Sequence, residues 1–233
     1  MEKGHSLEWP LVICAVFCAV RDARMPVRLD FTLLDRRNYR EVFVVLPDEV
    51  KNALELLPET SARFEGAVRF CWYVSGTIDV LHADEPKATR MREAFLRASL
   101  AEYVSVEDTL KRDLLKLGSN AKPIKIRDLA NPLLHLIREL RNLEIHLTSS
   151  QLSSSKKRVK FAGQEHETTI WTVNDLTVQK FEELQNAKHY SKKDIERMVN
   201  WFNEAQYDWG VEHLAFRAIV EWASAIVKTY SLT

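Results

Sequence analysis

Arg141, Asn142 and His146, in the segment RNLEIH, are the residues whose types and spacing point most directly to chemistry. Histidine has an ordinary pKa near ~6.5, so it can take or give a proton at neutral pH. A guanidinium stays cationic throughout and offers paired donors to an oxyanion. Together they suit phosphodiester cleavage by a neighbouring 2′-hydroxyl. That reaction needs a base for the hydroxyl, an acid for the 5′-leaving oxygen, and a cation for the charge gathered in between. Histidines are scattered and there is no H-E-x-x-H, so no metal and no cofactor are expected.

The element that must carry these residues is a helix from about Leu129 to Leu147, LANPLLHLIRELRNLEIHL. Five residues turn an ideal helix through about 140°, so Arg141 and His146 diverge. His135, Glu139, Asn142 and His146 fall instead on one stripe about 60° wide. Leu133, Leu136, Ile137, Leu140, Leu143 and Leu147 form the apolar face, with the polar stripe roughly opposite. Because Arg141 and His146 diverge, one chain offers half a site. Glu144 is angled near the apolar face, where a lone carboxylate is costly.

RNLEIH resembles the R-N-x-x-x-H form of the signature of HEPN domains, a superfamily of helical domains that includes many metal-independent ribonucleases. The resemblance rests on six residues of motif and on the helical setting of residues 86–233. It implies an endoribonuclease that leaves 2′,3′-cyclic phosphate and 5′-hydroxyl ends. It also implies a homodimer joining two motifs in one cleft, and a toxin or anti-phage defence setting with an antitoxin or other partner protein. Arg141 and His146 would be catalytic. Asn142, Arg138, Lys156, Lys157 and Arg158 would hold the RNA. Many toxin-type members carry a tyrosine two residues after the histidine; here that position is Thr148, so a role for that tyrosine does not transfer. The alternative is a non-catalytic module of the same fold that holds RNA, a nucleotide or a protein. A third reading makes RNLEIH accidental.

Composition frames these expectations. The chain has 233 residues, 46% hydrophobic and 28% charged, with only 6 glycines and 7 prolines. That balance excludes wholesale disorder and favours helix. Neither GxxxxGK nor GxGxxG occurs, so Gly-rich phosphate loops are not expected. Net charge is zero, but residues 87–160 hold 16 basic and 8 acidic side chains. This basic middle between acidic flanks suits a local anion site as well as internal charge pairing. Three cysteines, Cys14, Cys18 and Cys71, with no C-x-x-C, fit a reducing cytoplasm. The apolar run at 11–20 is too short to span a bilayer and reads as part of a buried helix over 7–22, with no membrane partner expected.

The expected fold class is mainly α: a helical bundle of HEPN type over 86–233, an N-terminal helical extension over 1–85, and at most one small β-hairpin. Packing of the two parts as one single domain is the alternative. Residues 41–45 have strand-like composition without a clear partner. Helices are expected from Asp48 towards Pro58 and over Thr60 to Leu81, with Phe64, Val68, Cys71 and Ile78 on one stripe. A long helix over Ala88–Leu117 is marked by Leu96, Leu100, Tyr103, Val106, Leu110, Leu114 and Leu117, and Gly118 stops it. Asp128 is placed to cap the motif helix. Residues 148–160 read as a polar linker or loop ending in the basic cluster. Val159, Phe161 and Ile170 about Gly163 suggest the hairpin. Asp175 is placed to cap VQKFEELQNA. Ser191 with Asp194 resembles a capping box before a helix carrying Ile195, Met198, Val199 and Phe202. Gly210 precedes a last helix over 211–229, and Trp201, Trp209 and Trp222 read as packing residues.

Overall fold

The computed structural model describes residues 27–35, 45–76, 85–146, 152–161, 164–174 and 176–232. The expected helix over 7–22 with Cys14 and Cys18, most of the 41–45 segment, Ile78, Leu147, Thr148, Gly163 and Asp175 lie outside these residues. Among the described residues the fold is mainly helical, with seven α-helices and one two-stranded hairpin. None of these helices is long and apolar enough to cross a membrane.

Helices α1 (Asp48–Leu54), α2 (Pro58–Ser75) and α3 (Glu85–Lys116) come first. The expected apolar stripe of α3 is buried from Leu96 to Leu114. Leu117 is exposed instead, because the helix ends one residue earlier and Gly118 turns the chain at φ +68°. Helix α2 lies antiparallel on α3, and α3 closes both of its ends. Buried Asp113 accepts the amide of Thr60 through Oδ2 at 2.8 Å, supplying an N-terminal cap that α2 lacks locally. Arg92 donates to the carbonyls of Val74 and Tyr73 at 2.6 and 3.2 Å at the other end. Between these ends Arg63 pairs with Glu102 at 2.8 Å, and Cys71 meets Ser99 at 3.1 Å. Burial pushes the Cys71 thiol up to about 12, which makes it a packing residue rather than a nucleophile.

Helix α4 (Pro132–His146) carries the motif. Asp128 does not cap it. Asp128 ends a 3-10 turn (Ile126–Asp128) and accepts the amide of Lys125, while Asn131 Oδ1 accepts the amide of Leu133 at the start of α4. The cap moves because the chain runs extended at Leu129 before the helix begins.

The linker expected over 148–160 is largely a strand. β1 (Leu152–Phe161) pairs antiparallel with β2 (Gln164–Val173) in a register from Leu152↔Val173 to Phe161↔Gln164. Serine and lysine are tolerated because much of β1 faces solvent. The far edge of β2 is closed by side chains. Buried Gln206 accepts the Val173 amide at 2.8 Å and donates to the Val173 carbonyl at 3.1 Å. Glu212 accepts the Trp171 amide at 3.3 Å. An edge that would otherwise expose unpaired backbone groups is thereby satisfied.

Short helix α5 (Val178–Glu182) is capped by Thr177, and a 3-10 segment (Gln185–His189) follows. Ser191 caps α6 (Lys192–Trp209): its Oγ accepts the Asp194 amide and donates to the Asp194 carboxylate. Gly210, at φ +81°, turns the chain into α7 (Val211–Tyr230). A Cβ there would lie 2.5 Å from Glu212 Oε1, so both the angle and the space call for glycine. Trp222 is fully buried, and Trp201 and Trp209 pack at the margin of the core. One hydrophobic cluster runs from Leu34 through α2, α3 and α4 to Ile226, so the helices on either side of residue 85 share a core.

Candidate functional site

The motif helix is buried on nearly every side. Leu133, Leu134, Leu136, Ile137, Leu140 and Leu143 are buried, and so are His135 and Glu139, both at 0% exposure. The polar stripe is therefore not a solvated face at these two positions. The 3-10 segment and Tyr190, about fifty residues on in sequence, fold back over it. The described part of α4 reaches His146 for the backbone and Leu143 for the side chains. Glu144 and the imidazole of His146 lie outside the described side chains.

Glu139 is the hub. Its Oε2 accepts from Asn142 Nδ2 at 2.8 Å. Asn186 Nδ2 donates to both of its oxygens, at 3.2 and 3.3 Å. The Tyr190 hydroxyl lies 3.4 Å from Oε1. All of these donors are neutral, and no ion pair reaches the carboxylate among the described residues. Burial pushes its pKa up, opposed by the Asn142 hydrogen bond and the charge of Arg138.

His135 ends the same network. Its Nε2 meets the Leu129 carbonyl at 2.7 Å, so Nε2 carries the hydrogen. In the neutral ring Nδ1 is then an acceptor, and the Tyr190 hydroxyl stands 3.1 Å from it. Burial drives the His135 pKa down to about 4, against the pull of the Leu129 carbonyl. One hydroxyl proton on Tyr190 therefore stands between two acceptors, His135 Nδ1 and Glu139 Oε1. A proton on Glu139 would satisfy both, since Glu139 would donate to Tyr190 and Tyr190 to His135. Burial and the Glu139 charge raise the Tyr190 pKa, keeping that hydroxyl protonated.

Arg141 joins the network through Asn142. Its Nη1 donates to Asn142 Oδ1 at 3.4 Å, a weak contact. Its Nε is buried without a hydrogen-bond partner among the described residues. The guanidinium is half-buried and has no carboxylate partner among them. Arg138 sits apart, 3.9 Å from Glu107 and mostly buried.

The basic cluster of β1 is a separate region. Lys156 is exposed and pairs with Glu167 across the hairpin at 2.7 Å. Lys157 reaches the last turn of α6, pairing with Asp208 at 2.9 Å and donating to the Tyr207 carbonyl. Arg158 is exposed, opposite Glu167 in the register. Thus α4 brings Arg141 and Asn142 together, while Lys156, Lys157 and Arg158 stand on another element, two of them in ion pairs.

Sequence reasoning did not identify Asn186 and Tyr190. The signal that could have led to them is the helical spacing of His135 and Glu139, which demands polar partners once that face is covered. Among the described residues no group of three or more histidine, cysteine or acidic side chains is arranged to hold a metal ion. Comparison with protein-family models, with curated proteins and with solved structures found no match to this chain.

Proposed function

We propose that this protein is a metal-independent endoribonuclease of the HEPN type, with Arg141 and His146 as its catalytic pair. The observation that supports this most is the state of Arg141. A motif arginine that served only to hold the fold would be expected in an ion pair. Here it has no carboxylate partner among the described residues, and Asn142 beside it is held in a fixed orientation. Arg141 would steady the negative charge of the pentacoordinate phosphorus, and His146 would move the proton. Because the two diverge on one helix, the working form would be a homodimer with α4 near its two-fold axis. Arg138, Lys156, Lys157 and Arg158 would contribute to RNA binding, Lys156 and Lys157 less than free lysines because of their ion pairs.

The test is incubation with total RNA in EDTA. Wild type should yield 2′,3′-cyclic phosphate ends. His146→Ala should be slower by about 10²–10⁴, roughly 3–5 kcal/mol of barrier. Arg141→Lys should also be slow, because an ammonium lacks the planar fork. Equal rates for wild type and His146→Ala overturn the reading. Binding without cleavage supports the non-catalytic module instead.

A further inference from the structure

We infer that Glu139, held by Asn186 and Tyr190, is a positioning residue that fixes the Asn142 side chain so that its carbonyl oxygen faces Arg141 and sets the guanidinium for an anionic phosphodiester. The inference rests on the ribonuclease reading of the same site and names a part of it that the motif does not contain.

The argument begins with the symmetry of an amide. Nitrogen and oxygen of an Asn side chain have nearly the same shape, so only the neighbours decide which way it points. Glu139 Oε2 only accepts, both in the ionised carboxylate and with the proton on Oε1 facing Tyr190. With Glu139 Oε2 at 2.8 Å, the nitrogen of Asn142 must face it. The oxygen of Asn142 must then face away, and Arg141 Nη1 lies there at 3.4 Å. Reversing the amide would set a donor against a donor at Arg141. Glu139 cannot swing aside to allow this. It is fully buried, and Asn186 and Tyr190 hold it by hydrogen bonds from a segment remote in sequence. The chain of contacts thus runs from the 3-10 segment through Glu139 and Asn142 to Arg141. The group is costly to bury, and holding it by neutral donors, with no ion pair among the described residues, fits a means of orientation rather than of stability.

Glu139→Gln keeps the shape and introduces a donor, so it permits the Asn142 amide to reverse. In nitrogen-15-labelled protein the buried Nε–H of Arg141, assigned through Arg141→Lys, reports the setting of the guanidinium. Glu139→Gln and Asn142→Ala should each move that signal. The double variant should match Asn142→Ala alone, since Glu139 acts only through Asn142. RNA cleavage should fall by about 10- to 10²-fold in kcat for Glu139→Gln with KM little changed, with the same non-additivity. An unmoved Arg141 signal, or a shift and a rate loss equally large with and without Asn142, overturns the inference. If Glu139→Gln does not fold, Asn142→Ala decides alone: an unmoved signal overturns it. If wild type cuts no RNA, the ribonuclease reading fails, while the resonance arm still judges the positioning role.

Discussion

Helix α4 and strand β1 hold the two polar clusters that stand out in the sequence, and they occupy opposite electrical surroundings. On α4, His135 and Glu139 are wholly buried and satisfied by amides, a carbonyl and a hydroxyl. On β1, Lys156 stays in solvent and is satisfied by an opposite charge across the hairpin. Burial makes each hydrogen bond on α4 costly to lose and each protonation state sensitive to its neighbours. Exposure makes the β1 pairs cheap to lose and screened by salt. Polar residues therefore fix geometry in one region and only pair surface charge in the other.

The largest effect expected from breaking this contrast lies at His135. Its folded pKa is about 4, below its ordinary value of about 6.5, so the unfolded chain binds the proton more readily. The contribution is complete above pH ~6.5 and is lost as pH falls towards 4, up to about 3 kcal/mol. Glu139 works in the opposite sense. Its raised pKa lets the folded state take a proton first as pH falls, which offsets part of the loss. His135→Gln, with its amide placed to donate to Leu129 and accept from Tyr190, should flatten the stability–pH curve in that window. Urea titrations at pH 7.5, 6, 5 and 4 measure this. A curve parallel to wild type throughout would show that His135 is not the titrating group.

A smaller loss is expected where the hairpin meets the helices. Gln206→Ala removes both hydrogen bonds to Val173 and leaves a buried amide and carbonyl unpaired, at a cost of about 2 kcal/mol. Urea unfolding, with hydrogen exchange at Val173, checks it. Faster exchange at Val173 should accompany the loss, because β2 would regain an open edge.

The smallest effect belongs to β1. Lys156→Gln should leave Tm within about 2 °C of wild type, since the ion pair with Glu167 is exposed. A larger shift would show that the hairpin charges help to hold the fold and would erase the contrast with α4.

How much was legible in the sequence follows from the reach of each signal. Periodicity is local, so the stripe of α3, the stop at Gly118, the cap at Ser191 and the break at Gly210 could all be read from neighbouring residues. The mainly helical fold with a hairpin was legible for the same reason. Position on a helix was legible too: Arg141, Asn142, Glu139 and His135 have the angles that 3.6 residues per turn dictate. The basic strand was misread as a linker because serine and lysine signal a solvated loop, and only pairing with β2 and closure by Gln206 and Glu212 make it a strand. Asp128 was misplaced as a cap because the sequence does not say where the chain leaves its extended path.

By itself, then, the sequence determined the mainly helical class, the order of the described helices and the angular place of the motif residues, all consequences of short-range geometry. The tertiary structure alone decided that His135 and Glu139, on the stripe beside Arg141, lie inside the protein. Angle around a helix fixes which residues share a face, but not whether that face meets water or another segment. Here Asn186 and Tyr190, brought from beyond the hairpin, cover it. That cover turns Glu139 from a solvated carboxylate into a buried acceptor with its neighbours' orientation in its hold.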